Sequence, residues 1–421
     1  MESKPQLKID ARDILAKIEK GEGIDYSNVM VEGGLDLSGL DLKKDEEGKH
    51  VVASQIRIRN SIIQGIVKFD NAIFERVVDF EGTTLMLAGF RFAKFCKYAG
   101  FEDTTFSGYA AFEHVEFLGE TNFSNAQFSD EADASFREAK FRDNAFFWSI
   151  GDKKITFTGD ADFLHVQFYK LATFHRSKFL KKANFAFSRF NGEDAIFMNA
   201  QFEGVADFKG ARIKGEIDFR DAQFNKNFDL RGSRFTHFVV SWSSIKNWLV
   251  YDGPVFLALI NSFKILEQFE DADDCYYQYR RKSQAEKKLY AWNGGMPVMN
   301  WSKLLDALSW ISCGYGVRPK YTFFLSILLI IFFAGLFCTG NSIVVEQINS
   351  AAIGQHLAQG DQIHSLSFAD HLYFSAMIFT TKTQVKWYPA GVYRYLAVVE
   401  SVLGWLLMAL FLVTLGRTMI R

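Results

Sequence analysis

Residues 161–190 read ADFLHVQFYKLATFHRSKFLKKANFAFSRF, in which Phe163, Phe168, Phe174, Phe179, Phe185 and Phe190 stand 5, 6, 5, 6 and 5 apart. On an α-helix a step of five residues leaves successive rings about 140° apart, so no single face collects them. In a straight strand an odd step puts them on opposite faces. A chain that turns a corner every five or six residues points all of them inward. The spacing therefore predicts a coil of short strands wound around stacked phenylalanines.

The same alternation extends both ways. It holds at Phe112, Phe117, Phe123 and Phe128, and again from Phe197 and Phe202 through Phe208, Ile213, Phe219 and Phe224 to Leu230 and Phe235. Of 44 phenylalanines, 32 lie between Phe69 and Phe238, which makes this an internal repeat and not a general aromatic bias. Ala126, Ala139, Ala183 and Ala206 each precede a ring by two positions, as a tight coil requires. This pattern resembles the pentapeptide-repeat family, in its Phe-rich form with an extra residue at every second step. The resemblance covers about residues 30 to 240 and implies a right-handed, four-sided β-solenoid. Phe163, Phe174, Phe185, Phe202 and Phe219 are expected in one continuous buried column, each contributing about 1.5–3 kcal/mol. The ladder breaks at NAFFWSIGDKKITF, residues 144–157, where a loop leaves the coil. Some members of that family mimic DNA; a net charge of -1 lacks the acidic excess this needs. The same charge argues against a nucleic-acid surface.

The four cysteines, Cys96, Cys275, Cys313 and Cys338, are too scattered for a metal site or a disulfide framework and read as reduced. No phosphate-binding glycine loop and no nucleophile motif occurs, so neither an enzyme nor a cofactor is expected. MESKPQLKIDARDILAKIEK lacks the apolar core of a signal peptide, which predicts a cytoplasmic N-terminal region.

In chain order, residues 1–30 read as a helix and cap, with a helix over Ala11–Lys20, and 31–242 as the solenoid. Residues 243–318 form a linker: an apolar helix from Val255 to Phe269, a charged helix from Ala272 to Trp292, and an amphipathic one from Trp301 to Ile311. The last carries Leu304, Leu305, Leu308 and Ile311 at helical spacing, which suits a membrane interface. Residues 319–421 begin with an uncharged run, 321–338, long enough to span a bilayer.

The final stretch, SLSFADHLYFSAMIFTTKTQVKWYPAGVYRYLAVVESVLGWLLMALFLVTLGRTMIR (366–421), opens with an S-x-x-D signal at Ser367 and Asp370. A short helix over 368–380, a polar segment over 381–386 and a spanning helix over 395–415 follow. That order predicts a re-entrant hairpin, which is tolerated at membrane depth only where protein buries it or it lines a water path. Thr380, Thr381, Lys382, Thr383, Gln384, Val385 and Lys386, continuing into Trp387-Tyr388-Pro389, resemble the pore segment of two-transmembrane potassium channels. Thr380, Thr381, Tyr388 and Pro389 match that family's pattern, whereas Thr383, Gln384 and Val385 replace its Gly-Tyr-Gly. β-Branched Thr383 and Val385 disfavour the positive-φ backbone those glycines supply.

The resemblance, covering residues from Pro319 onward, implies a homotetramer in a lipid bilayer, with inorganic ions as its partners. It places Gly404, Met408 and Leu412 on the pore axis and Leu412 and Leu415 at a cytoplasmic constriction. Glu400, the only charge inside the second helix, is the candidate partner of Lys382. Rings of Lys382 and Lys386 favour anions, so the pore is expected to be non-selective or anion-biased. The alternative is a non-conducting, membrane-anchored scaffold. The excess of Lys and Arg before the first span predicts a multi-pass cell-membrane protein with both termini cytoplasmic. The same excess puts residues 340–366 outside, and His356, His364 and His371, in or beside that outer loop, are candidates for pH sensing. A cytoplasmic ligand or protein is expected on the solenoid.

Overall fold

Five-residue and six-residue steps turn corners differently. In a computed structural model, residues 7–129, 132–151, 153–293, 296–339, 343–345, 366–380 and 387–419 are described. Each five-residue step passes through the left-handed region two places after its ring: His114 at φ 57°, Asn125 at 58°, His165 at 57° and Phe187 at 56°. The ring residue's carbonyl accepts from the N–H three positions on, as in Ala126 N to Phe123 O (3.1 Å) and Ser188 N to Phe185 O (3.2 Å). This is a turn with φ > 0 at its third residue, the type II arrangement. The six-residue step from Phe117 to Phe123 contains no positive φ and rounds its corner with the extra residue.

Between corners the chain makes two-residue strands, four of them from Thr105 to Asn122. Each pairs in parallel with its equivalent one turn later: Phe106 with Phe128, Phe117 with Phe141, Phe179 with Phe202. The result is a β-solenoid whose backbone bonds run from turn to turn. Ala126, Ala139, Ala183 and Ala206 are completely buried, because the wall leaves no room for a larger group beside each ring.

Phe163, Phe174, Phe185, Phe202 and Phe219 are all buried, but in three stacks and not in one column. Phe136, Phe163 and Phe185 stack at 4.8 and 4.7 Å. Phe174, Phe197 and Phe219 stack at 4.7 and 4.9 Å, and Phe202 joins Phe179 and Phe224. Equivalent rings repeat at about the strand spacing and so lie face to face. Rings from adjacent sides meet edge-on, as Phe163 and Phe174 do at 5.3 Å and 89°.

Parallel pairing begins at Leu7–Asp10, well before the phenylalanines, because Val31 and Ile63 fill the same inward positions there. Helix α1 (Ala11–Glu19), capped by Asp10, buries Ile14 and Ile18 against this end. At the other end come α2 (Trp242–Ile245) and α3 (Gly253–Ile265). Ser262 of α3 accepts from Phe238 N at 2.7 Å, so α3 covers the last strand. Helix α4 (Phe269–Glu286) is separate from α3, because Glu267 turns at φ 59°. It also stops before Trp292: Tyr290–Asn293 pairs antiparallel with Met296–Met299. This antiparallel pair stands where the composition predicts that the charged helix continues to Trp292.

Two compact units result, Met1–Tyr279 and Arg280–Arg421. In the second, α5 (Trp301–Cys313) ends at left-handed Gly314, and Asp306 accepts from Arg280 and Lys287, both at 2.6 Å. Helices α6 (Pro319–Phe337), α7 (Phe368–Phe379) and α8 (Tyr393–Met419) complete it.

Candidate pore region

Pro319–Phe337 and Tyr393–Arg417 are long and apolar enough to cross a membrane, with mean hydropathies of 2.1 and 2.3. In each, 22% of the apolar window is buried within the chain. Phe324, Leu328, Trp405 and Val413 stand exposed on their outer faces.

The twelve-residue α7 is too short to span. Its start is set as the S-x-x-D signal predicts: Asp370 N donates to Ser367 Oγ while the Asp370 carboxylate accepts from Ser367 N at 2.8 Å. Phe374 packs edge-on against Phe337 of α6, 5.2 Å between centroids. Ser375 Oγ donates to the Ile330 carbonyl of α6 at 2.8 Å and is also bonded to Glu400 Oε1 of α8. One hydroxyl therefore ties three helices. A β-carbon on Gly404 would meet the Phe379 carbonyl oxygen at 2.2 Å. Glu400 and Gly404 lie one turn apart on α8 and face Ser375 and Phe379, one turn apart on α7.

Glu400 is wholly buried, and its Oε2 has no hydrogen-bond partner among the described residues. A buried carboxyl with one oxygen open can take a second donor, and burying it unpaired is costly.

Among the other residues singled out in the sequence, Thr380 ends α7, its hydroxyl donating to Ala376 O at 2.8 Å. Thr381, Lys382, Thr383, Gln384, Val385 and Lys386 lie outside the described residues, as do His356 and His364. Met408 and Leu412 are exposed and Leu415 half-buried, whereas Gly404 is turned into the α7 contact. His371 is buried, with Nδ1 donating to Ser367 O at 2.8 Å.

Beyond the undescribed segment, Trp387–Pro389 forms a strand antiparallel to Ile343–Val345, the stretch following α6. Tyr393 donates its hydroxyl to Thr339 O, and Tyr373 meets Trp387 edge-on at 5.9 Å. Sequence reasoning passed over Ser375, Thr339 and Tyr393. The lone serine inside apolar α7 was the available signal for Ser375. Among the described residues no group of three or more His, Cys, Asp or Glu is placed to hold a metal ion.

No curated protein and no solved structure matches this chain. The family model Pentapeptide repeats (9 copies) matches residues 101–150 and 197–239, so the first unit carries pentapeptide repeats as a β-solenoid, ahead of a second with two helices apolar enough to cross a membrane.

Proposed function

We propose that the chain is a homotetrameric membrane ion channel, with its solenoid, wound right-handed and four-sided, in the cytoplasm. The observation that carries this is α7: a capped helix too short to span, clamped between two spanning-length helices by Ser375 and Gly404. A hairpin of this kind encloses no water path alone, and closed symmetry is the usual remedy for identical subunits. In this reading α7 is the pore helix and Thr380–Lys386 follow it as the filter. Met408, Leu412 and Leu415 line the inner path, and Gly404 lets α8 approach α7. The open Oε2 of Glu400 receives Lys382, which leaves Lys386 as the charged ring.

Purified protein in planar bilayers tests this directly. Unitary currents from an assembly whose mass in detergent is that of four chains are expected. A monomer or dimer, or silence from a well-formed tetramer, rejects the channel.

A further inference from the structure

On one side of the solenoid Lys94, Glu116, Lys140 and Gln167 occupy equivalent places on successive turns, each in parallel register with the next. Glu116 neutralises its surroundings, accepting from Arg142 at 2.8 Å with Lys94 at 3.9 Å. The column continues as Arg189, Arg212 and Arg234, again in register. All three are exposed, and none has an ion-pair partner among the described residues. Neighbouring strands lie about 4.8 Å apart, so three arginines share roughly 10 Å of wall.

Like charges directly opposite one another across strands destabilise a sheet. On these same turns Asp207 stands opposite Asp229, but each has a counter-charge: Asp207 pairs with Lys182 at 3.1 Å and Asp229 with Arg231 at 2.6 Å, as Asp218 does with Arg220 at 2.6 Å. The arginine column places three successive like charges in register, with no ion pair to any of them among the described residues. Guanidinium forks match phosphate oxygens in geometry and charge.

We propose that Arg189, Arg212 and Arg234 dock the solenoid on the anionic phospholipid headgroups of the leaflet in which the second unit is anchored. The proposal rests on the reading of that unit as membrane-embedded. Few charges suffice there, because the tether supplies a high local concentration of headgroups. A column about 10 Å long is a poor match to nucleic acid, whose interfaces need a wider basic footprint. It also occupies the last turns before α2 and α3, where the chain leaves the coil toward its apolar helices.

Arginine footprinting of the intact protein tests the docking. The full chain is placed in nanodiscs of phosphatidylcholine, alone or with one lipid in three replaced by phosphatidylglycerol. Phenylglyoxal modification is then followed residue by residue by mass spectrometry. Arg189, Arg212 and Arg234 are expected to react about threefold or more slowly in the anionic discs, with exposed Arg76 unchanged. The difference should vanish near 1 M NaCl, where screening acts within about 3 Å. Equal rates in the two discs overturn the proposal. So does protection by a short DNA duplex in neutral discs with none from phosphatidylglycerol, which would make nucleic acid the partner. Co-migration of protein with lipid is scored separately. A chain that enters neither disc removes the membrane reading, and the docking with it; one that enters but shows no protection removes the docking alone.

Discussion

Gly404 and Phe379 touch backbone to backbone: a β-carbon on the glycine would stand 2.2 Å from the phenylalanine's carbonyl oxygen. The helix axes of α7 and α8 are therefore held at a separation that admits no side chain. Gly404→Ala should cost about 1–3 kcal/mol through forced repacking, read as a lower thermal midpoint in detergent. An unchanged midpoint would mean the helices do not meet there.

Ser375 bridges Ile330 and Glu400, so Ser375→Ala strips Glu400 Oε1 of its described partner. A cost of about 1–3 kcal/mol is expected for the buried carboxyl oxygen left without a partner. Ser375→Ala and Glu400→Gln should also be coupled in a double-mutant cycle, by about 0.5 kcal/mol or more. Strict additivity would show that the two side chains act separately.

Phe185 and Phe187 are two residues apart and should behave oppositely. Phe185 is completely buried between Phe163 and Phe208, and Phe185→Ala should lose about 3–5 kcal/mol in denaturant titrations. Phe187 is exposed and left-handed at φ 56°, where glycine carries no steric penalty. Phe187→Gly should change stability by less than about 1 kcal/mol. Similar losses at both positions would contradict the turn assignment.

Partial burial pushes the Asp306 carboxyl upward, but hydrogen bonds from Lys287 and Arg280 outweigh it and hold its pKa below the ordinary carboxylate value. A depressed folded-state pKa gives stability that is present above the unfolded value and lost as pH falls through the folded one. Thermal midpoints should thus drop below about pH 4, and Asp306→Asn should flatten that part of the curve. A variant that keeps the wild-type acid slope would assign the loss to other carboxylates.

Without the Gly-Tyr-Gly carbonyl cage, reversal potentials in a KCl gradient should lie away from the potassium equilibrium potential. Lys386→Gln should shift the chloride-to-potassium permeability ratio toward cations. If Lys382 is paired with Glu400, Lys382→Gln should act more on thermal stability than on that ratio. A potassium-selective wild type would refute this assignment of the filter.

What the amino-acid order determined by itself was local or periodic. Ring spacing of five and six excludes helix and straight strand, the length and apolarity of 321–338 and 395–415 suffice for spanning, and Ser367 with Asp370 starts a helix. Each follows from dihedral preferences and hydrophobic burial over a few neighbours. Tertiary structure alone decided which phenylalanines share a stack and which, like Phe92 and Phe187, stand outside in left-handed corners. It also decided that Gly404 serves the α7 contact and that Glu400 finds Ser375, 25 residues away. Spacing along a chain fixes the direction in which a side chain points, but a partner brought from another helix or turn depends on how those elements pack.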